Sequence, residues 1–197
     1  MKSGLLKPVA ELKSGDVVIA MNIAKNEVVE SEILMVAHSS PTTLTLFTAI
    51  EAWNGQKVFL TPKHLIALSL QTNTTPSFIY AENVQENDYI YVRDEYNQLM
   101  SVKVKSVSEE MKMGYYSPLT LEGTIIVNDV VTSVYALINS HHLAHNGLAP
   151  LRWYYKIVKS LGLANEPFAP PKPNGQLHWT NQFLYLVSKT LAPHVFS

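Results

Sequence analysis

The chain of 197 residues is 47% apolar, carries 15 basic against 16 acidic residues for a net charge of −1, and contains no cysteine. That length and apolar content are enough for a sizeable core, and the absent thiols exclude disulfides, thiolate metal sites and an internal cysteine nucleophile. Charge of both signs spread along the sequence leaves no footprint for nucleic acid or an anionic membrane, no stretch is long and apolar enough to span a bilayer, and Met1-Lys2-Ser3-Gly4 opens without the apolar core of a signal peptide.

The first two thirds read as β-structure. Short runs rich in β-branched and aromatic residues occur at Val17–Ala20, Ile33–Val36, Leu44–Ile50, Val58–Leu60, Ile66–Leu70, Tyr89–Val92, Val102–Val107 and Thr124–Val131, separated by Asn, Gly, Asp and Pro. No long amphipathic helix lies between them, so the expected class is all-β rather than α/β. After Ser140 the texture changes. Leu148–Leu163 has apolar residues at helical spacing, a Pro-rich link follows at Pro167–Pro173, and a second helical stretch is expected over Leu177–Leu191. The organisation expected is a β-domain over residues 1–145 and a two-helix extension over 146–197.

Within the β part, Val9-Ala10-Glu11-Leu12-Lys13-Ser14-Gly15-Asp16-Val17-Val18-Ile19-Ala20 aligns without a gap on Ala81-Glu82-Asn83-Val84-Gln85-Glu86-Asn87-Asp88-Tyr89-Ile90-Tyr91-Val92. Gly15 and Asn87 are the two residue types that reach positive φ at least cost, so both copies predict a tight turn immediately before a strand. Two copies imply two β-subdomains related by a pseudo-twofold axis, with a site where they meet.

Thr61-Pro62-Lys63-His64 lies within the apolar stretch Lys57–Leu70, which is expected to be a strand. A cluster, His141-His142-x-x-His145, sets two histidines four apart on one helical face, but no cysteine is near and no glutamate stands between them as in a zinc hydrolase. No metal and no cofactor are expected. Gly-rich phosphate loops, Gly-x-Ser-x-Gly elbows and paired catalytic carboxylates do not stand out.

Several segments together resemble the C-terminal autoprocessing domain of Hedgehog proteins. They are Lys7-Pro8 with Leu12 and Gly15-Asp16, Thr61-x-x-His64, Tyr116-Ser117-Pro118-Leu119-Thr120, Gly123–Ile138, His141-His142-Leu143-Ala144-His145 and Leu148-Ala149-Pro150-Leu151-Arg152, in the family's order across nearly the whole chain. The resemblance implies the Hint fold, a pseudo-symmetric all-β horseshoe.

It also implies a reaction. In that family a cysteine preceded by glycine attacks the glycine carbonyl to make a thioester, and a sterol hydroxyl then displaces it, so that an upstream signalling segment leaves as an ester. An amide nitrogen departs only when protonated, which an imidazole achieves near neutral pH. His64 matches that residue, and Thr61 supplies a hydroxyl to polarise or orient the same amide. The bland alternative for His64 is a satisfied core histidine. Cholesterol-using members carry an aspartate that acts on the sterol; His38 falls in its place, and a neutral imidazole can also accept a hydroxyl proton. The alternative for His38 is a surface residue in a turn His38-Ser39-Ser40-Pro41.

The family's first strand, opening with Cys-Phe, is expected about a dozen residues before Lys7-Pro8, where only six are present, so the chain as given is expected to be inactive in the first acyl shift. Val134 stands where many members have a second cysteine. Trp153, Trp179, Phe183 and Leu184 in the extension correspond to the region that recognises sterol, with packing against the β-domain as the alternative for each. The implied partners are an upstream segment in cis and a sterol, the implied state is a monomer, and the implied setting is the secretory pathway or the cell exterior. The competing function is a degenerate Hint fold acting as a sterol-, lipid- or protein-binding module.

Overall fold

The computed structural model describes residues 6–70, 75–162 and Phe168. Nine strands and two helices follow in chain order: β1 (Val17–Asn22), β2 (Glu27–Ala52), β3 (Lys57–Leu60), β4 (His64–Leu68), β5 (Ser77–Tyr80), β6 (Tyr89–Arg93), β7 (Leu99–Thr120), β8 (Thr124–Val127), β9 (Val130–Ala136), α1 (His141–Gly147) and α2 (Ala149–Ser160). The pairings are antiparallel. The spine is made by β2 and β7, which run side by side from Ile33↔Thr120 to Ala52↔Val104 with four register shifts on the way. Such irregularities bend a strand and raise its twist, so two strands of this length can serve both halves of a curved sheet.

The two halves repeat each other bond for bond. In the first, a 3-10 turn at Val9–Glu11 leads to Gly15 with φ +86; in the second, one at Ala81–Asn83 leads to Asn87 with φ +74. Gly15 N donates to Ile33 O and Ile33 N to Asp16 O, just as Asn87 N donates to Val104 O and Val104 N to Asp88 O. The carboxylates match as well. Asp16 Oδ2 accepts from Lys13 N at 2.9 Å and Asp88 Oδ2 from Gln85 N at 2.8 Å. Each turn thereby ties a short strand, β1 or β6, to the start of the long strand of its half.

Four features differ from the expectations. The runs Ile33–Val36 and Leu44–Ile50 belong to one strand, and residues 38–41, for which a turn was the alternative reading, lie inside it, because β7 offers a partner through bulges next to Val36 and Ser40. The stretch Lys57–Leu70 breaks at residues 61–63, where Pro62 cannot donate to a ladder. Thr124–Val131 folds back at Asn128 and Asp129, whose φ values of 49° and 64° mark a two-residue hairpin turn. Strand β5 was not anticipated. The helix expected over Leu148–Leu163 is α2, whereas Leu177–Leu191 falls outside the described residues.

Ile33, Leu34, Met35, Leu65, Val134 and Tyr135 form a cluster that also takes in Ala144 of α1, Leu151 and Tyr155 of α2, and Phe168. A second cluster, with Ile50, Val58, Ile66, Ile90, Val92, Val104 and Val130, fills the other half. Fully burying each such aliphatic side chain contributes about 1.5–3 kcal/mol, so β4 and β9, which contribute to both clusters, are held firmly.

Candidate active site

The turn between β3 and β4 carries Thr61 and His64. Proline at the second position presets its φ, and His64 N donates to Thr61 O at 2.9 Å, closing the turn. The turn is clamped from two sides. Glu82 N donates to Pro62 O at 3.0 Å and Leu137 N to Lys63 O at 3.0 Å, while Lys63 Nζ lies 2.6 Å from Glu82 and over the Tyr80 ring. The second copy of the repeat and the end of β9 therefore fix the loop of the first half, which puts this site where the two halves meet.

His64 Nε2 lies 2.9 Å from Ser133 O. A carbonyl only accepts, so Nε2 carries the proton and Nδ1 is the nitrogen left to exchange one. Burial pushes the His64 pKa below its ordinary value, with the Ser133 carbonyl pulling weakly the other way. The ring is therefore neutral at pH 7 and, once protonated, a stronger acid than free imidazole. The Ser133 carbonyl reaches the ring because β9 bulges there. His64 pairs with Ala136 and Ile66 with Thr132, so two steps along β4 face four along β9.

Behind Ser133 lies a polar cluster that sequence reading did not assemble. Ser133 Oγ accepts from Tyr135 N at 3.0 Å and lies 2.9 Å from His141 Nδ1. Tyr135 Oη lies 2.8 Å from His145 Nδ1, and Arg152 Nη1 donates to His145 O. His141 is stacked on Phe78, with ring centroids 4.2 Å apart, and is nearly parallel to His145 at 5.9 Å. Burial, and then neighbouring cations, hold His141 down to about 3 and His145 down to about 4; burial pushes Tyr135 up to about 12. The signal in the sequence was the four-residue spacing of His141 and His145, but it arises from two rings stacked on one helical face, each with Nδ1 engaged by a hydroxyl.

His38 lies on a different strand pair. It is partly buried in β2, where its Nε2 is 3.1 Å from Tyr115 Oη and the two rings meet edge to face at 4.9 Å. Trp153 is 66% exposed on α2, on a face shared with the exposed Ile157 and Leu161. Trp179, Phe183 and Leu184 lie outside the described residues.

A curved antiparallel sheet built from two like halves, with Thr61 and His64 on a clamped turn between them, defines a pseudo-symmetric β-horseshoe. The Hint module family matches residues 1–193, and the chain belongs to that family. Protein hedgehog of Drosophila virilis is 34% identical over 203 residues and that of Drosophila melanogaster 33% identical over 201; each alignment takes in 98% of this chain and 42% of the relative. The chain thus spans about two fifths of the length of these relatives. Among solved structures, the Ssp DnaB mini-intein variant M86 superposes with a TM-score of 0.57 at 12% identity, over 67% of this chain and 85% of its own. An intein from a hyperthermophile gives 0.51 at 21% identity, over 59% and 70%. These two likenesses concern the fold.

Proposed function

We propose that this chain is the autoprocessing domain of a hedgehog-like precursor. A cysteine thiol at the junction with an upstream segment attacks the carbonyl of the preceding glycine; the C–N bond breaks, the amine leaves with a proton, and a thioester joins the two. A sterol hydroxyl then attacks the thioester, its proton is taken up, and the upstream segment leaves as an ester while the thiol is restored. None of the 197 residues is cysteine, so the thiol belongs to the segment N-terminal to them. The observation that carries the reading is the orientation of His64: Nε2–H bound to Ser133 O leaves the bare Nδ1 to take the proton of the attacking thiol and hand it to the departing amine, in the same turn as Thr61.

The finer parts of the reading rest on the hedgehog likeness. His38 takes the sterol proton in the second step. The extension over residues 146–197, with Trp153, Trp179, Phe183 and Leu184, addresses the sterol. The precursor is processed as a monomer in the secretory pathway and acts outside the cell.

A fusion tests this directly. A reporter ending in Gly-Cys-Phe is joined ahead of residue 1, with the spacer varied over several lengths. Release of the reporter by a small thiol, lost in His64→Ala by a factor of about 10²–10⁴, is the expected result. Folded fusions of every spacer length that form no thioester would overturn the reading.

A further inference from the structure

Ser133 is the residue at which β9 serves two masters. Toward β8 the ladder is intact, with Ser133 opposite Thr124 and Val134 N donating to Gly123 O at 3.0 Å. Toward β4 the ladder opens into the bulge described above, and the Ser133 carbonyl is taken by the His64 ring instead of a strand amide. An opened bulge leaves backbone groups in need of partners. Tyr135 N–H finds Ser133 Oγ, and the Ser133 hydroxyl, which still has its own proton to give, lies 2.9 Å from His141 Nδ1.

We propose that His141, acting through Ser133, is the positioning residue for His64: by accepting the Ser133 hydroxyl it holds the bulge in the arrangement that fixes His64 as its Nε2–H tautomer. The inference rests on the reading of His64 as the proton-transfer group. His141 is suited to the task because it is 3% exposed, stacked on Phe78, and carried on a helix moored by Tyr135 to His145 and by Arg152 to the His145 carbonyl. Its ring cannot swing away. Its low pKa keeps the ring neutral throughout the neutral range, the state in which Nδ1 can accept the Ser133 hydroxyl. A buried histidine that only filled space would find any hydroxyl; this one shares its serine with the active ring.

The tautomer is read without any cleavage reaction, from long-range proton–nitrogen NMR correlations of the imidazoles in the 197-residue chain. Wild type is expected to show His64 as a single Nε2–H species. His141→Phe keeps the stack on Phe78 and removes the acceptor; both His64 tautomers are then expected, and thioester formation in the Gly-Cys-Phe fusion falls about tenfold, the usual scale for losing an outer partner of a working group. His141→Gln, which offers a carbonyl oxygen, should restore the single tautomer and most of the rate. An unchanged single tautomer in His141→Phe would overturn the proposal, as would Gln failing to restore it. If the Phe variant does not fold, Ser133→Ala decides: it keeps the carbonyl and loses the hydroxyl, so mixed tautomers support the proposal and a single one sinks it. A wild-type fusion that never forms a thioester would count against the autoprocessing reading alone, because the tautomer result is obtained separately.

Discussion

A Cβ on Gly123 would lie 2.4 Å from Nδ1 of His145, so the turn between β7 and β8 and the ring from α1 adjoin with no room for a side chain. Gly123 also holds φ +83, a conformation unfavourable for other L-residues. Gly123→Ala therefore combines backbone strain with displacement of a half-buried ring, and is expected to cost about 3 kcal/mol in urea unfolding. In a His145→Ala background the largest clash is removed, leaving Tyr135 Oη at 3.2 Å, and the same substitution should cost about 1–2 kcal/mol, chiefly the strain.

Stability should fall in acid because of the two stacked histidines. His141 and His145 are held to about 3 and about 4 in the folded chain, against 6.5 when unfolded. Between pH 6.5 and those values the unfolded chain binds more protons. Stability is thus fully present above pH 6.5 and is lost as pH falls toward 4, with a slope of up to about 1.4 kcal/mol per pH unit for each ring. Urea midpoints at pH 7.5, 6, 5 and 4.5 check this, and His141→Gln should remove one ring's share of the slope.

The duplicated turns allow a matched comparison. Asp16 and Asp88 each accept a backbone N–H, but Asp16 also pairs with Lys7 at 2.6 Å in a partly buried setting. Asp88→Ala is expected to cost about 1 kcal/mol and Asp16→Ala about 2 kcal/mol. In 1 M salt the two losses should converge, since only the ion pair is screened.

The rate of thioester formation in the fusion should carry the low pKa of His64. Burial favours its neutral form, so the inflection assigned to His64 lies below pH 6.5 and the rate does not change through it between pH 7 and 8. Measuring the profile in wild type and in His64→Ala isolates that inflection. An inflection above 7 that vanishes with the histidine would show that its charged form is stabilised during the reaction, against the effect of burial.

His38 and Thr61 separate the two steps. His38→Ala should slow sterol-dependent release about tenfold to a hundredfold while leaving thiol-induced release unchanged, because only the second step deprotonates a hydroxyl. Thr61→Val should slow thiol-induced release as well. Equal loss of both steps in His38→Ala would reassign that ring to holding Tyr115 and the β2–β7 pair.

Much of the fold was legible because it is written in local preferences. The Gly15-Asp16 and Asn87-Asp88 turns, the alternating apolar runs and the change of period at α2 all follow from residues within a few positions of each other. The strand breaks were read less well. Pro62 and the Asn128-Asp129 pair were visible signals inside apolar runs, but the runs hid them. His38-Ser39-Ser40-Pro41 has turn composition and still forms strand, since β7 supplies a partner that outweighs local propensity.

Thr61 and His64 could be named as candidates from the chain alone, since their spacing and the segments around them carry the likeness to the Hint family. What the chain could not disclose was the company His64 keeps. Ser133 is 69 residues away, and its carbonyl reaches the ring only because β9 bulges against β4; His141 arrives on a helix whose position is set by a core shared with β2 and β9. Turn chemistry and hydrophobic period are decided among neighbours in sequence, and so can be read there. Register, bulges and the choice of which carbonyl fixes a tautomer are decided by long-range pairing, where a shift of one residue turns every side chain to the other face.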